Sequence, residues 1–157
     1  MNDFIFLLLQ DAFWSALAAL GFAILFNVPV RTLFGCALTG AIGHVLRTTT
    51  VHYGGSIEAG SLLGATVVGL LGHLFARRWR VPNSTFTVSG VIPMVPGGLA
   101  FGALLGFING ASLGVEAGTP LLLKALIDVI KTSLILLGLA FGIALPNLWL
   151  NRQKPVV

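Results

Sequence analysis

Apolar residues fill this chain in long runs, and its polar positions gather at the breaks between them. The first run, residues 4–26, is long enough to span a bilayer, which takes about 20 residues. It ends at the turn Asn27-Val28-Pro29-Val30-Arg31. Residues 32–53 form a second, less hydrophobic segment carrying Gly35, Gly40, Gly43, His44 and Arg47. Gly54-Gly55-Ser56 makes a turn, and residues 57–76 form a third span that stops at Arg77-Arg78-Trp79-Arg80. After Val81-Pro82-Asn83, with Asn83 or Ser84 as the N-cap, a fourth run covers residues 84–108. A Gly-rich loop is expected over 109–119, followed by a last run, 120–150, longer than one crossing. The pattern predicts an all-α integral membrane protein: a single transmembrane domain over residues 1–157 with five transmembrane helices.

The fourth run is broken in its middle by Val91-Ile92-Pro93-Met94-Val95-Pro96-Gly97-Gly98. Pro93 and Pro96 lack N–H groups, so helical bonds to the carbonyls of Ser89 and Ile92 cannot form. If the helix restarts with Pro96 first, the N–H groups of Gly97, Gly98 and Leu99 are unpaired donors. Free donors and the helix dipole together favour an anion. At membrane depth such backbone survives only against protein or a cavity, and broken helices at mid-bilayer bind substrate in many secondary transporters. Pro93, Pro96, Gly97 and Gly98 are therefore expected substrate-binding positions, against the alternative of a kink that only shapes packing. Beyond the break Gly98, Gly102 and Gly106 recur every four residues, a smooth face for helix packing.

Composition agrees with a membrane protein. The 157 residues are 56% hydrophobic and 9% charged, whereas soluble domains carry about 25% charged residues. The formal charge of +4 does not point to nucleic acid, because no basic groove with interleaved aromatics accompanies it. No Lys or Arg precedes Arg31, so the start is not read as a secretory signal. Arg31, Arg77, Arg78, Arg80, Arg152 and Lys154 fall on one side of the membrane. Arg47 falls on the other, with Lys124 and Lys131 if they emerge. The Lys/Arg bias then predicts an outside N-terminus and a cytoplasmic C-terminus, with Trp79 and Trp149 as interfacial anchors. An odd number of spans beginning outside suits the second half of a ten-span transporter whose first half starts in the cytoplasm.

Ionisable residues inside spans are functional candidates. Gly40, His44 and Arg47 share one side of a helix, since residues three and four apart are neighbours. Arg47 suits a bidentate carboxylate contact, or it is an interfacial arginine at its helix end. His44, Asp11 and Asp128 are the proton-coupling candidates, histidine because its ordinary titration lies nearest neutral pH; the alternative for His44 is a structural bond to a neighbouring helix. Lys124, Asp128 and Lys131 form one stripe with Asp128 in reach of both lysines. Glu58 opens a span and reads as interfacial, and His73 has no motif around it. The single cysteine, Cys36, excludes an internal disulfide or a cysteine metal cluster and reads as a packing residue. With no nucleophile–base pair on an elbow, no H-E-x-x-H and no phosphate loop, no enzyme, metal or cofactor is expected.

The segments GFAILFNVPVR, GAIGHVLR, FTVSGVIPMVPGG and PNLWLNRQKPVV resemble the threonine/serine exporter (ThrE) family, in its small five-span subunit of the split, YjjB-like type. The resemblance covers nearly the whole chain. It implies export of threonine/serine-type amino acids or of dicarboxylates such as succinate from a bacterial cell, through the inner membrane and driven by protons. It also implies a larger YjjP-like partner with a cytoplasmic domain and five spans of its own. A homo-oligomer is the other assembly that would enclose a pathway in the lipid bilayer. The competing function is a channel-forming or structural membrane subunit without its own substrate site.

Overall fold

The computed structural model describes residues 2–150, and among these every regular element is helical. The order is α1 (Asn2–Leu25), a 3-10 turn (Val30–Thr32), α2 (Leu33–His52), α3 (Ile57–Trp79), α4 (Ser84–Val91), a second 3-10 turn (Ile92–Met94), α5 (Gly97–Ser112) and α6 (Gly114–Leu150). Met1 and residues 151–157, whose Arg152 and Lys154 enter the orientation argument, lie outside the described residues. The chain divides into two compact units, one of Met1–Met94 with Gly138–Val157 and one of Val95–Leu137.

In the first unit α2 packs against α1, α3 and α4. This accounts for α2 falling short of the apolarity of a spanning helix: its Gly35, Thr39, Gly40 and Gly43 are buried against other helices. Three helices, α1, α3 and α6, are long and apolar enough to cross a membrane alone, or up to four spans if α4 and α5 are one broken crossing. Glycine sets the spacing around α2. A Cβ on Gly64 of α3 would lie 2.5 Å from the Gly43 carbonyl of α2, and one on Gly40 would lie 2.5 Å from the Ala19 Cβ of α1. Only small residues permit backbones this close. The Met94 side chain, fully buried, lies against both Gly43 and Gly64, which ties the end of the α4 segment to the α2–α3 seam. Along α6, Gly142 and Pro146 meet α3 at Ala65 and Gly69.

Several polar side chains within these helices find backbone carbonyls as partners, as hydrocarbon surroundings favour. On α4, Ser89 Oγ donates to the Thr85 carbonyl at 2.9 Å and Thr87 Oγ1 to the Asn83 carbonyl at 3.2 Å. Cys36, fully buried, directs its thiol to the Thr85 carbonyl at 3.3 Å. Asn83 takes the N-cap position of α4, yet its own backbone is helical and its side chain makes no capping bond. The side-chain cap is found instead on α3, where Ser56 Oγ accepts from the Ala59 N–H at 3.2 Å. One end of the unit is closed by Phe86 against Phe75 and Trp79, beside Arg77 and Arg78 in the last turn of α3.

The second unit is a hairpin of α5 and the first part of α6. The loop expected over 109–119 is instead helix up to Ser112 and again from Gly114. The glycines there serve packing rather than flexibility. A Cβ on Gly118 would run into the Gly110 carbonyl, and one on Gly110 would meet Leu122 at 2.8 Å. Gly114, at φ +76°, makes the reversal, a conformation that glycine adopts without strain. α6 accordingly starts at Gly114 rather than near Pro120.

Candidate functional site

Asp11 and His44 of the first unit meet at the α1–α2 contact, with Arg47 beside them. The two helices run antiparallel, so the close approach at Gly40 and Ala19 brings the next turn of α2 opposite the middle of α1. There His44 Nδ1 lies 2.9 Å from Asp11 Oδ2, and Thr48 Oγ1 donates to the same oxygen at 2.7 Å. The pair is mostly enclosed, with 23% of the His44 and 20% of the Asp11 side chain exposed. Both donors sit on α2, one helical turn apart, and both end on one carboxylate oxygen. With Asp11 ionised the shared proton resides on Nδ1.

Arg47 stands next to this cluster on α2. Its guanidinium donates to the carbonyl of Met94 at the end of the second 3-10 turn. In an uninterrupted helix that carbonyl would accept an N–H four residues on; the helix stops there and Arg47 supplies the donor. Among the described residues Arg47 has no carboxylate in ion-pair contact, since Asp11 is engaged by His44. A half-buried guanidinium without a carboxylate, held by one neutral acceptor, has bonding capacity to spare for a bidentate anion.

In the second unit the break differs in detail from the expected restart. Pro96 is buried and takes φ −82° and ψ 60°, an inverse γ-turn. The Gly97 N–H therefore donates to the Val95 carbonyl at 2.9 Å and is not a free donor. Gly98 and Leu99 keep their N–H groups without a partner among the described residues, and a Cβ at Gly97 or Gly98 would meet nothing within 4 Å. Pro93 lies half-buried within the 3-10 turn of the first unit.

The other expectations fare unevenly. Asp128 is half-buried on α6 and forms no ion pair with Lys124 or Lys131 among the described residues; both lysines are exposed. A lysine four residues before an acid is the poorer helical orientation. Of the expected packing glycines, Gly106 meets Ala125 at 2.9 Å, Gly102 has only the Asp128 carboxylate at 3.8 Å, and Gly98 packs against nothing. The hairpin seam runs instead through Gly106, Gly110 and Gly118, because α6 crosses α5 toward the turn. His73 is buried with Nε2 unpartnered. Thr48 and the Met94 carbonyl were missed, although Thr48 sits four residues after His44 and the spacing rule applied to Gly40 and His44 extends to it.

Three apolar helices of spanning length, or four spans with the broken pair, define a multi-span helical membrane protein. A sequence model described as "Threonine/Serine exporter, ThrE" matches residues 11–149, and the chain belongs to that family. No solved structure matches it.

Proposed function

We propose that the chain is one subunit of a proton-coupled exporter of small carboxylate-bearing metabolites, threonine/serine-type amino acids or dicarboxylates, in a bacterial inner membrane. The observation that carries this reading is the Asp11–His44–Thr48 cluster beside an Arg47 that lacks a carboxylate partner. Asp11 and His44 carry the coupling proton, and Arg47 receives the substrate carboxylate in exchange for the Met94 carbonyl. The open donors of Gly98 and Leu99 weigh less, because no buried polar group is directed at them. Asp128 is not needed for the coupling step.

The subunit crosses the membrane five times, with α2 as the crossing whose neighbours replace lipid and with α4 and α5 as one broken crossing. Its N-terminus is outside, which the gathering of Arg31, Arg77 and Arg78 near the Phe75–Trp79–Phe86 end supports. A larger five-span subunit with a cytoplasmic domain completes the pathway. The test is substrate flux in vesicles reconstituted with the assembled transporter. An imposed proton gradient should drive flux, and Asp11→Asn or His44→Gln should uncouple it. Flux indifferent to the gradient in the unmodified protein would make this a channel subunit, and no flux attributable to it would make it structural.

A further inference from the structure

Two open surface cavities share Leu7 of α1 as a wall, and the first is also bordered by the end of α2. The first, of about 500 Å³, is lined by Asp3, Phe4, Leu7, His52 and Tyr53. The second, of about 230 Å³, is lined by Leu7, Gln10, Asp11 and Trp14. Leu7 borders both, so the cavity at His52 adjoins the one that Asp11 of the coupling cluster lines. Helical register explains the alignment. Asp3, Leu7 and Asp11 recur every four residues on α1, as do His44, Thr48 and His52 on α2, and residues four apart share a face. At a rise of about 1.5 Å per residue, His52 stands roughly 6 Å from Thr48 and 12 Å from His44 along the axis. That gap exceeds a direct hydrogen bond, so a proton crossing it travels through water.

His52 itself is exposed but fixed. Its ring stacks on Phe4 with centroids 3.8 Å apart and 19° between planes, and Tyr53 closes on it edge-on at 5.5 Å. An imidazole held in one orientation at a cavity that adjoins the one lined by Asp11 suits a group that takes protons from bulk water and passes them inward. The surrounding charges help. Asp3 on α1 lines the same cavity, Arg47 is the one cation on α2 nearby, and Glu58 is the one charged residue at this end of α3. Neither α4 nor the Gly138–Leu150 part of α6 in this unit carries a charge.

We infer that His52 is a positioned proton-collecting group, feeding Asp11 and His44 through water in the two cavities. The inference rests on the proposed proton coupling and adds the route. With the N-terminus outside, this cavity faces the side from which an exporter draws its protons.

The experiment uses the assembled transporter in vesicles and records proton entry with a trapped pH dye while substrate leaves. His52→Gln should slow proton entry about tenfold in weakly buffered medium, less than the roughly 100-fold or more attached to a reacting acid–base group, because water remains a route. Imidazole added to the bath should restore the rate. Substrate–substrate counterflow, which moves no net proton, should be unchanged, which a merely structural role for His52 does not predict. Normal proton entry in His52→Gln, or a deficit that imidazole leaves in place, would overturn the inference. Asp11→Asn separates the two layers. If it abolishes proton entry while His52→Gln is normal, only the route is wrong; if Asp11→Asn leaves proton entry intact, the coupling reading itself falls.

Discussion

Arg47 shows how much one side chain is asked to do. It is a cation in an apolar bundle, it holds the last carbonyl of the 3-10 turn, and it meets no carboxylate among the described residues. Hydrogen bonds to charged groups are worth about 1.5–3 kcal/mol. Arg47→Ala should therefore lower the stability of the solubilised protein by about that much, through the abandoned Met94 carbonyl. It should also remove the stabilisation by substrate, which for a ligand at a hundredfold excess over Kd is about 2.7 kcal/mol. Thermal unfolding with and without threonine reads both effects; a ligand shift that survives in Arg47→Ala would take the carboxylate contact away from this residue. Arg47→Lys should keep most of the stability but weaken binding, since an ammonium cannot reproduce the bidentate fork. In the sequence, His44 and Arg47 were legible as one face by spacing alone. Their partners were not, because which α1 residue meets that face depends on the register set at Gly40 and Ala19, a contact between segments.

At the scale of the helix, glycines that look alike in sequence serve different purposes. Gly98, Gly102 and Gly106 form one four-residue series, yet only Gly106 has a helix against it. Gly106→Leu should splay α5 from α6, because a Cβ there already meets Ala125 at 2.9 Å and the Leu121 carbonyl at 3.3 Å. Overpacking of this kind is worth about 1–3 kcal/mol of lost stability, or more where backbone is the obstacle. Gly102→Leu should leave the hairpin intact, since its nearest neighbour is a carboxylate oxygen at 3.8 Å. Comparing the melting of the two variants checks this. Loss of complex recovery in Gly102→Leu at unchanged melting would place a partner on that face. The proline break was legible as a break, but its donor pattern was not. The sequence dictates that Pro96 lacks an N–H; the γ-turn that consumes the Gly97 N–H follows from Pro96 being buried at ψ 60°.

For the whole molecule, helical class and membrane residence were legible because run length and the scarcity of charge leave few alternatives. The number of crossings was less so. α2 is the element at issue: its Thr39, Gly40, Gly43, His44 and Arg47 lower its apolarity, and only its central place against α1, α3 and α4 accounts for that. A reporter active only in the cytoplasm, fused to Val157, should give signal if α2 and the broken pair each cross once. A periplasm-active reporter at the same residue should stay silent. The reverse pattern would mean that one of those crossings is absent.

The meeting of Asp11 with His44 and Thr48 bears finally on how the protein is made. A carboxylate near the middle of a helix opposes insertion by about 2.5–3.5 kcal/mol on the translocon scale. α1 emerges from the ribosome before the residues that satisfy Asp11 do. The helix best able to compensate is the next one synthesised, arriving antiparallel after a short turn. Were α1 and α2 to enter the bilayer as a hairpin, their internal bonds would discharge the penalty that α1 alone faces.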